Sequence, residues 1–474
     1  MDDCCNPPRR DSYDIAVIGA GSAGFSAAIT AVEAGASVAL FGQGMIGGTC
    51  VNVGCVPSKT LIRAAEGIHG AQTAGRFPGI AARAKLADWS ALAGAKDELV
   101  GSLRQRKYVD LLDAYPAIHY REAPARLSAG GVMVAGEVVA AAKVIVATGA
   151  RAAAPPIAGL DSVDWLDSTA ALALEELPQS LLVIGGGVIG CELAQMFARF
   201  GVKVTICCRR RLLPEMEPEV GDALQRFFQA EGIEVCAGVS YKALQQDHQG
   251  VLLTCEGPDG PHSIRAEKLL VAAGRAPNTG GLGLAERGVA LNSRGGIEVD
   301  DFLETTAPGI YASGDVTGRD QYVYMAAYGA KLAAKNALMG NQHRYDNAAM
   351  PGVVFTDPQA ASVGLTEAKA RAARFEVKIS LLPLDQLPRA LAARDTRGFV
   401  KLVADKISDR VLGGTILAPE GSDAIQTLAM AIDHGMTTAD LGAMIVPYLT
   451  TVEGLKLAAQ AFDKDVAKLS CCAG

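Results

Sequence analysis

Two glycine-rich segments constrain the fold of this 474-residue chain more than any other feature of its sequence. In each, an apolar run ends in the spacing G-x-G-x-x-G and continues into a helix-like stretch; the first glycines are Gly19 and Gly185. Glycines at this spacing permit a tight turn and let the backbone approach a pyrophosphate at the N-terminus of the following helix. The sequence therefore predicts an α/β fold with two Rossmann-like dinucleotide-binding domains.

The first segment departs from the usual pattern after its second strand, predicted over 36–41. An acidic residue normally follows that strand and binds a ribose hydroxyl, but Gly42 and Gln43 stand there. We expect Gln43 or backbone groups to replace it. The residues predicted to contact this dinucleotide are Gly19, Gly21, Ser22, Ala23 and Gly24.

The second segment also lacks a terminal acid, and its second strand, 202–207, is followed by Cys208 and three arginines. Guanidinium groups at this point favour the 2′-phosphate of NADPH; a solvated basic turn is the alternative interpretation. Two dinucleotide sites in one chain indicate a flavoprotein that passes electrons from NADPH to FAD. The residues predicted to contact NADPH are Gly185, Gly187, Val188, Ile189, Gly190, Arg209 and Arg210.

The order of the segments predicts an FAD domain that is interrupted by the NADPH domain. The last part of the chain carries no nucleotide motif and mixes strand and helix patterns, which favours a dimerisation domain and a homodimer. We expect a flexible tail at 1–12, FAD-binding parts at 13–150 and 281–345, an NADPH-binding domain at 151–280 and an αβ dimerisation domain at 346–474.

Charge and hydropathy exclude two classes of partner. The net charge is −7 and the longest basic block is Arg209–Arg211, so a nucleic acid is not expected. The sequence holds no run of about 18 apolar residues, the length of a membrane-spanning helix, and it opens with acidic residues, unlike a signal peptide. These features predict a cytoplasmic protein that does not insert into membranes.

The eleven cysteines are too few for a disulfide scaffold, so their placement should reflect reactivity or metal binding. Cys50 and Cys55 lie five residues apart, which on a regular helix would put them on different faces. A disulfide between them needs an irregular turn, which Gly54 can supply. Pro57 suits a helix start, whose dipole favours thiolates; two buried, unreactive thiols are the alternative.

The segment GGTCVNVGCVPSK, the two glycine units and Ala312–Asp315 together resemble the flavin disulfide reductases, the class I pyridine nucleotide-disulfide oxidoreductases, from Tyr13 onward. The resemblance implies that NADPH reduces FAD and that FAD reduces a Cys50–Cys55 disulfide. Cys55 would face the flavin, Cys50 would exchange with substrate, and Lys59 would lie beside the flavin and pair with Glu192. The resemblance also implies cofactor contacts at Gly48, Thr49, Lys59, Thr148, Gly149, Gly274, Arg275 and Asp315. For Asp315, a helix N-cap is a further possible role.

The chain departs from the disulfide-reducing members of this family near its C-terminus. They use a histidine, followed five residues later by a glutamate, to protonate a leaving thiolate. Here Tyr448 replaces the histidine while Glu453 is kept. A phenol with a pKa of about 10 is a poor proton shuttle near neutrality. A thiolate pair without that shuttle suits a soft metal ion as substrate.

The terminal Cys471–Cys472 pair points to the same kind of substrate. With Tyr448 and the Cys50/Cys55 segment, it resembles the branch of the family that reduces Hg(II). That resemblance implies that Cys471 and Cys472 of the partner subunit pass Hg(II) to Cys50 and Cys55, and that Tyr108 and Tyr448 line the metal site. An ordinary half-buried helix residue is the alternative for Tyr108.

Two other functions stay open at this point. One is a thioredoxin- or glutathione-reductase-like enzyme whose terminal cysteines relay electrons as a disulfide. The other is a metal-sequestering protein that uses its cysteine pairs as ligands. Cys4–Cys5 has no assigned role. Cys207 and Cys208 are expected to be structural, and the ordinary core or surface thiols are Cys191, Cys236 and Cys255.

Overall fold

The computed structural model describes residues 12–464, which form two compact units. The first comprises 90–153, 274–345 and the described part of 1–60. The second comprises 61–89, 154–273 and the described part of 346–474. The predicted thiols Cys4, Cys5, Cys471 and Cys472 lie outside the described residues. Within 12–464, no helix is both long and apolar enough to cross a bilayer.

A seven-stranded sheet forms the centre of the first unit. Ser12–Ile18 pairs in parallel with Val38–Gly42 on one side and with Glu137–Val146 on the other. Its residues Ile15 to Ile18 are all buried, as expected for a parallel strand covered on both faces. The spatial order is Ile118–Glu122, Val38–Gly42, Ser12–Ile18, Glu137–Val146, Gly131–Val134 and Ala125–Ser128, with Ile310–Ala312 also pairing with Glu137–Val146.

Helices cover this sheet, and two of them pack closely because small residues meet between them. Ser22–Glu33 packs on Val323–Met339, and alanines in both are fully buried. Ala150–Ala152 and Arg275–Pro277 form a small antiparallel sheet. The other helical segments that lie in this unit or begin or end in it are Gly48–Asn52, Cys55–Gln72, Trp89–Arg104, Gln105–Val109, Asp110–Ala114, Ala285–Arg287 and Asp315–Thr317.

The second unit holds a second parallel sheet of five strands. Its spatial order is Glu234–Ala237, Lys203–Cys208, Ser180–Ile184, Lys268–Val271 and Trp165–Leu166. A three-stranded antiparallel sheet contributes to the same hydrophobic core and consists of Ser240–Asp247, Gly250–Gly257 and Gly260–Ala266. The helical segments of this part are Ala74–Arg76, Leu160–Ser162, Ser168–Leu172, Val188–Arg199 and Pro218–Ala230.

The C-terminal part of the second unit is built on an antiparallel sheet with its own core. Its spatial order is Pro351–Val354, Gln359–Gly364, Val411–Ala418, Phe399–Asp405 and Val377–Pro383. Its helical segments are Glu367–Ala372, Leu384–Gln386, Pro388–Ala393, Gly421–Asp433, Thr438–Ala443 and Glu453–Gln460. A mixed sheet with a parallel βαβ core, a fully parallel sheet and an additional αβ part confirm the predicted fold class.

Candidate active site

The first glycine turn has the shape that a pyrophosphate requires. Gly19 has φ +117°, and a Cβ there would lie 2.2 Å from the Ala147 carbonyl oxygen. A Cβ on Gly24 would lie 1.7 Å from the Gly19 oxygen, so neither position accepts a side chain. Helix Ser22–Glu33 starts at Gly21, and no described side chain caps it. Its uncapped N–H groups and dipole therefore suit the FAD pyrophosphate.

Tyr120, which was not predicted from the sequence, lies where a side chain at position 42 would be. Position 42 is where the usual ribose-binding acid is missing. A Cβ on Gly42 would lie 2.9 Å from the Tyr120 hydroxyl, and Tyr120 comes from the neighbouring strand Ile118–Glu122. Gln43, the predicted substitute, is exposed. Only the strand pairing reveals Tyr120, because it lies far from Gly42 in the sequence.

Asp315 and Arg275, both predicted to contact FAD, lie next to each other in the first unit. Arg275 Nε lies 3.6 Å from Asp315 Oδ2; burial raises the pKa of Asp315, and the charge of Arg275 opposes that rise. Thr148 Oγ1 donates to the Asn278 carbonyl, which fixes the turn after Glu137–Val146. Asp315 is not the N-cap of Val323–Met339, because Tyr322 occupies that position. The capping role is therefore wrong.

The predicted irregular turn between Cys50 and Cys55 is present. Cys50 lies in the short helix Gly48–Asn52, which ends at Val53, and a second helix begins at Cys55. A Cβ on Gly54 would lie 2.9 Å from the Thr49 carbonyl oxygen, so the turn requires glycine there. Both cysteines are present as partly exposed thiols. The break in the helix brings them together.

Hydrogen bonding makes the two thiols unequal. Cys50 donates to Cys55, and this bond together with burial raises the pKa of Cys50 well above its usual range, while the charge of Lys59 opposes the rise. Cys55 stands at a helix N-terminus, where a thiolate is favoured. The hydrogen bond and burial therefore oppose a thiolate at Cys50, and the thiolate character expected for the pair stays a prediction.

A glycine contact joins the thiol loop to the cofactor turn. Gly48 has φ +68°, and a Cβ there would lie 2.6 Å from Gly21 Cα. The residue before Cys50, Thr49, is exposed. The start of helix Gly48–Asn52 is thus packed directly on the first glycine turn, which places the thiols beside the predicted FAD site.

Tyr108 lies close to the thiol pair, on the π-helical turn Gln105–Val109. Its ring packs edge-on against Phe25 at 5.0 Å, and its hydroxyl lies 3.4 Å from Ser22 Oγ. Burial raises its pKa, and negative charge on Cys50 and Cys55 raises it further. Tyr108 therefore keeps its proton at neutral pH and presents a phenol to the thiols. Single π turns of this kind are common at functional sites.

The second glycine turn repeats the first in the second unit. Gly185 has φ +121°, and a Cβ there would lie 2.3 Å from the Ala272 carbonyl oxygen. Helix Val188–Arg199 follows, with Gly187 at its N-cap and no described side chain capping it. This turn also suits a dinucleotide pyrophosphate.

The three arginines after Lys203–Cys208 divide into two kinds. Arg209 and Arg210 are exposed, and Arg210 pairs with the exposed Glu215 at 2.9 Å. Arg211 instead points inward and donates to the carbonyls of Pro214 and Met216. Two guanidinium groups are therefore available to a 2′-phosphate, and these are the two that the sequence predicted.

Glu192 and Glu453 both serve as backbone acceptors. Glu192 is 3% exposed and accepts from the Phe355 N–H at 2.9 Å; its pairing with Lys59 stays a prediction. Glu453 is buried and accepts from the Leu449 N–H at 3.1 Å. Burial raises the pKa of Glu453, and the bond from Leu449 opposes that rise. Tyr448, next to Leu449, is 49% exposed.

Within residues 12–464, the side chains that could bind a metal ion occur in groups of fewer than three. No group of three or more His, Cys, Asp or Glu residues in this part of the chain is arranged to hold a metal ion. The Cys50/Cys55 pair offers two sulfurs, and two thiolates suit a soft ion rather than a hard one.

Comparison with known proteins gives the class to which this fold and site belong. Residues 13–334 match the family model described as pyridine nucleotide-disulphide oxidoreductase, and residues 350–459 match the dimerisation domain of the same family. The chain belongs to the pyridine nucleotide-disulphide oxidoreductase family. It is an oxidoreductase that uses FAD and a pyridine nucleotide.

Comparison with individual proteins of this family shows which kinds of oxidoreductase the chain is similar to. The chain is 46% identical to mercuric reductase from Streptomyces lividans over 98% of both chains. It is 45% identical to mercuric reductase from Bacillus cereus, over 99% of this chain and 74% of that protein. Among solved structures, HOCl-induced flavoprotein disulfide reductase RclA from Escherichia coli is 31% identical with a TM-score of 0.82, over 94% of this chain and 99% of that one.

Proposed function

We propose that this chain is an NADPH-dependent mercury(II) reductase that converts Hg(II) to volatile Hg(0) in mercury detoxification. The observation that carries the proposal is the Cys50–Cys55 pair, hydrogen-bonded and packed beside the first glycine turn. Two relatives that match this chain over 98% and 99% of its length are mercuric reductases. Membership of an oxidoreductase family argues against the metal-sequestering alternative, and bound flavin in the purified protein would exclude it.

The residues around the two glycine turns fit the two dinucleotides. When bound, FAD accepts a hydride from NADPH and supplies the two electrons that the reduction needs. The uncapped helix starts after Gly21 and Gly187 would hold the pyrophosphates. Arg209 and Arg210 would bind the 2′-phosphate and Tyr120 the adenosine ribose. The other residues proposed to contact FAD are Gly48, Thr49, Lys59, Thr148, Gly149, Gly274, Arg275 and Asp315.

The thiol pair binds the metal ion and releases it after reduction. Cys50 and Cys55 displace the ligands of Hg(II) and form two Hg–S bonds, and a proton still held by either thiol passes to a displaced ligand or to water. When the bound ion gains two electrons, both Hg–S bonds break, Hg(0) leaves and the sulfurs are thiolates again. No leaving thiolate of substrate has to be protonated by a histidine, so Tyr448 is compatible with this reaction.

Tyrosines and a second subunit complete the proposed site. Tyr108 and Tyr448 line the metal path as phenols, and Glu192 positions Lys59. Cys471 and Cys472 of the partner subunit deliver Hg(II), which requires active sites at the interface of a homodimer. The proposal also includes a cytoplasmic location and domain limits of 13–150 and 281–345 for FAD, 151–280 for NADPH and 346–474 for dimerisation, after a tail at 1–12.

Hg(II) reduction is tested by adding NADPH and a Hg(II)–thiol complex and measuring NADPH oxidation and Hg(0) release. We expect turnover by the holoenzyme, none by Cys55→Ala, and normal turnover by Cys255→Ala, a matched thiol removal elsewhere in the fold. Full activity in Cys55→Ala would sink the mechanism. Faster turnover with oxidised glutathione or thioredoxin than with Hg(II) would favour the disulfide-reductase alternative, which relays electrons through the terminal cysteines.

A further inference from the structure

Five of the seven described cysteines lie outside the proposed active site, all within the nucleotide-binding part of the second unit. Two of them face each other across neighbouring parallel strands. Cys207, near the end of Lys203–Cys208, stands directly opposite Cys236 in Glu234–Ala237. In-register residues on adjacent strands send their side chains to the same face. The pair was not visible in the sequence, which separates the two residues widely.

The surroundings of this second pair make one thiol inaccessible and the other approachable. Cys207 is fully buried in the core between the parallel sheet and the three-stranded sheet. Cys236 is partly exposed and lies on the edge strand of its sheet. A solute can therefore reach Cys236 first and Cys207 only through it.

The two thiols interact as the active-site pair does. Cys207 donates a hydrogen bond to Cys236, which lowers the pKa of Cys236 to about 7, while burial opposes that shift. The same bond and burial raise the pKa of Cys207. An exposed thiol with a lowered pKa is the reactive kind. The Tyr241 hydroxyl donates to the Cys207 carbonyl at 2.8 Å and holds the strand end in place.

We propose that Cys207 and Cys236 form a second binding site, which takes one soft, two-coordinate metal ion. Binding replaces two S–H bonds by two metal–sulfur bonds and releases two protons, so it needs no oxidant or reductant. Soft thiolates select soft ions, and the described residues offer no third ligand in an arrangement that would hold a metal. Zn(II), which prefers four ligands, should bind poorly.

The position of this pair couples it to the pyridine nucleotide. Cys207 is followed by Cys208 and then by Arg209 and Arg210, the exposed guanidinium groups proposed to bind the 2′-phosphate. A metal ion bonded to Cys207 replaces the thiol–thiol hydrogen bond at the end of the strand from which this loop leaves, and the Cys207 carbonyl also accepts from the Gly185 N–H of the second glycine turn at 2.9 Å. We expect the occupied site to weaken NADPH binding. By reciprocity, NADPH must weaken metal binding by the same factor.

Metal binding is tested in holoenzyme in which the other candidate ligands, Cys4, Cys5, Cys50, Cys55, Cys471 and Cys472, are replaced by alanine. Hg(II) is added in the presence of a competing monothiol, and retained metal is counted after gel filtration. We expect one Hg(II) per chain, no retention of Zn(II), loss of Hg(II) with the additional change Cys236→Ala, and retention with Cys191→Ala. No bound metal, or undiminished binding in the Cys236→Ala protein, overturns the proposal.

A second measurement covers the case in which Cys236→Ala does not fold. In the six-alanine background, one equivalent of Hg(II) should block iodoacetamide labelling of Cys236 and raise the Kd for NADPH about fivefold or more. If Hg(II) does not slow the labelling of Cys236, the proposed metal site is wrong. If Hg(II) leaves the Kd for NADPH unchanged, the proposed coupling between the two sites is wrong. Neither readout depends on Hg(II) turnover, so the result stands apart from the proposed function, which is tested by turnover and Hg(0) release in the wild-type enzyme.

Discussion

Residues 12–464 contain two hydrogen-bonded thiol pairs, and the two differ in the backbone that presents them. Cys50 and Cys55 sit on either side of a break between two helices, both partly exposed, with Lys59 close to Cys50. Cys207 and Cys236 sit on in-register strands, with one thiol in an apolar core. A thiol–thiol hydrogen bond is common to both pairs, so it cannot be the feature that assigns the proposed redox role to the first pair. Both pairs adjoin a glycine turn, since the Cys207 carbonyl accepts from the Gly185 N–H at 2.9 Å; what distinguishes the first pair is that both of its thiols are partly exposed.

Removing one thiol from each pair should separate the two roles most strongly. We expect Cys50→Ala to abolish Hg(0) release while changing the free energy of unfolding by less than about 1 kcal/mol, because Cys50 is partly exposed. Cys207→Ala should instead cost about 1 kcal/mol or more of stability, because it opens a cavity in a packed core. Urea unfolding and Hg(0) release measure the two effects. If Cys207→Ala unfolds at the same urea concentration as the wild-type protein, the proposed difference between the two pairs is wrong.

The glycine contact at Gly48 should affect only the first pair. An alanine there must move the backbone at Gly21, because its Cβ would lie 2.6 Å from Gly21 Cα, and such crowding costs about 1–3 kcal/mol. We expect Gly48→Ala to weaken FAD binding by about tenfold or more. The affinity is measured by titrating apoprotein with FAD.

Two controls accompany that change. Gly70→Ala, in open space on helix Cys55–Gln72, should retain normal FAD affinity, and iodoacetamide labelling of Cys236 should be the same in both variants. Normal FAD affinity in Gly48→Ala would show that the contact between the thiol loop and the turn is not needed.

The pH dependence of alkylation should distinguish the two members of the second pair. Because the bond from Cys207 lowers the pKa of Cys236 to about 7, its thiolate forms as the pH rises through 7, and its labelling rate should be half-maximal at about pH 7. Removing the donor in Cys207→Ala should move this midpoint upward, towards the ordinary thiol value of about 8.5. Mass spectrometry of labelled peptides follows each site. A midpoint that does not move would mean that Cys207 does not donate to Cys236.

The smallest expected effects concern the tyrosine beside each pair. Tyr241→Phe loses the bond to the Cys207 carbonyl, which should cost about 1 kcal/mol of stability. Tyr108→Phe keeps its packing on Phe25 and loses only a 3.4 Å contact with Ser22, so stability should hardly change while kcat/KM for Hg(II) falls a few-fold. Equal effects of both changes on kcat/KM would remove the distinction between the two pairs.

Local patterns were sufficient to predict the glycine turns and the fold class. Gly19 and Gly185 could be identified because a tight turn between a strand and a helix requires glycine at closely spaced positions, and the sequence shows these glycines directly. The break between Cys50 and Cys55 was predictable for the same reason, since Gly54 and Pro57 lie within a few residues of the thiols. These features depend on short-range sterics, which the sequence displays directly.

Features that depend on strand pairing could not be predicted. Tyr120 reaches Gly42 only because two strands are neighbours, and Cys207 meets Cys236 only because two strands are in register. The sequence also does not reveal that Arg211 turns inward while Arg209 stays exposed, because the carbonyls that bind Arg211 lie in an irregular loop. The raised pKa of Cys50 likewise follows from a contact across the turn and not from the helix start.

The contact between Gly48 and Gly21 also limits how this enzyme can be altered. A library that randomised the first glycine turn to accept another cofactor would displace the loop that carries Cys50, even if no cysteine were changed. Selections for new cofactor use should therefore recover compensating changes at Gly47 or Gly48 before they recover changes at the thiols themselves.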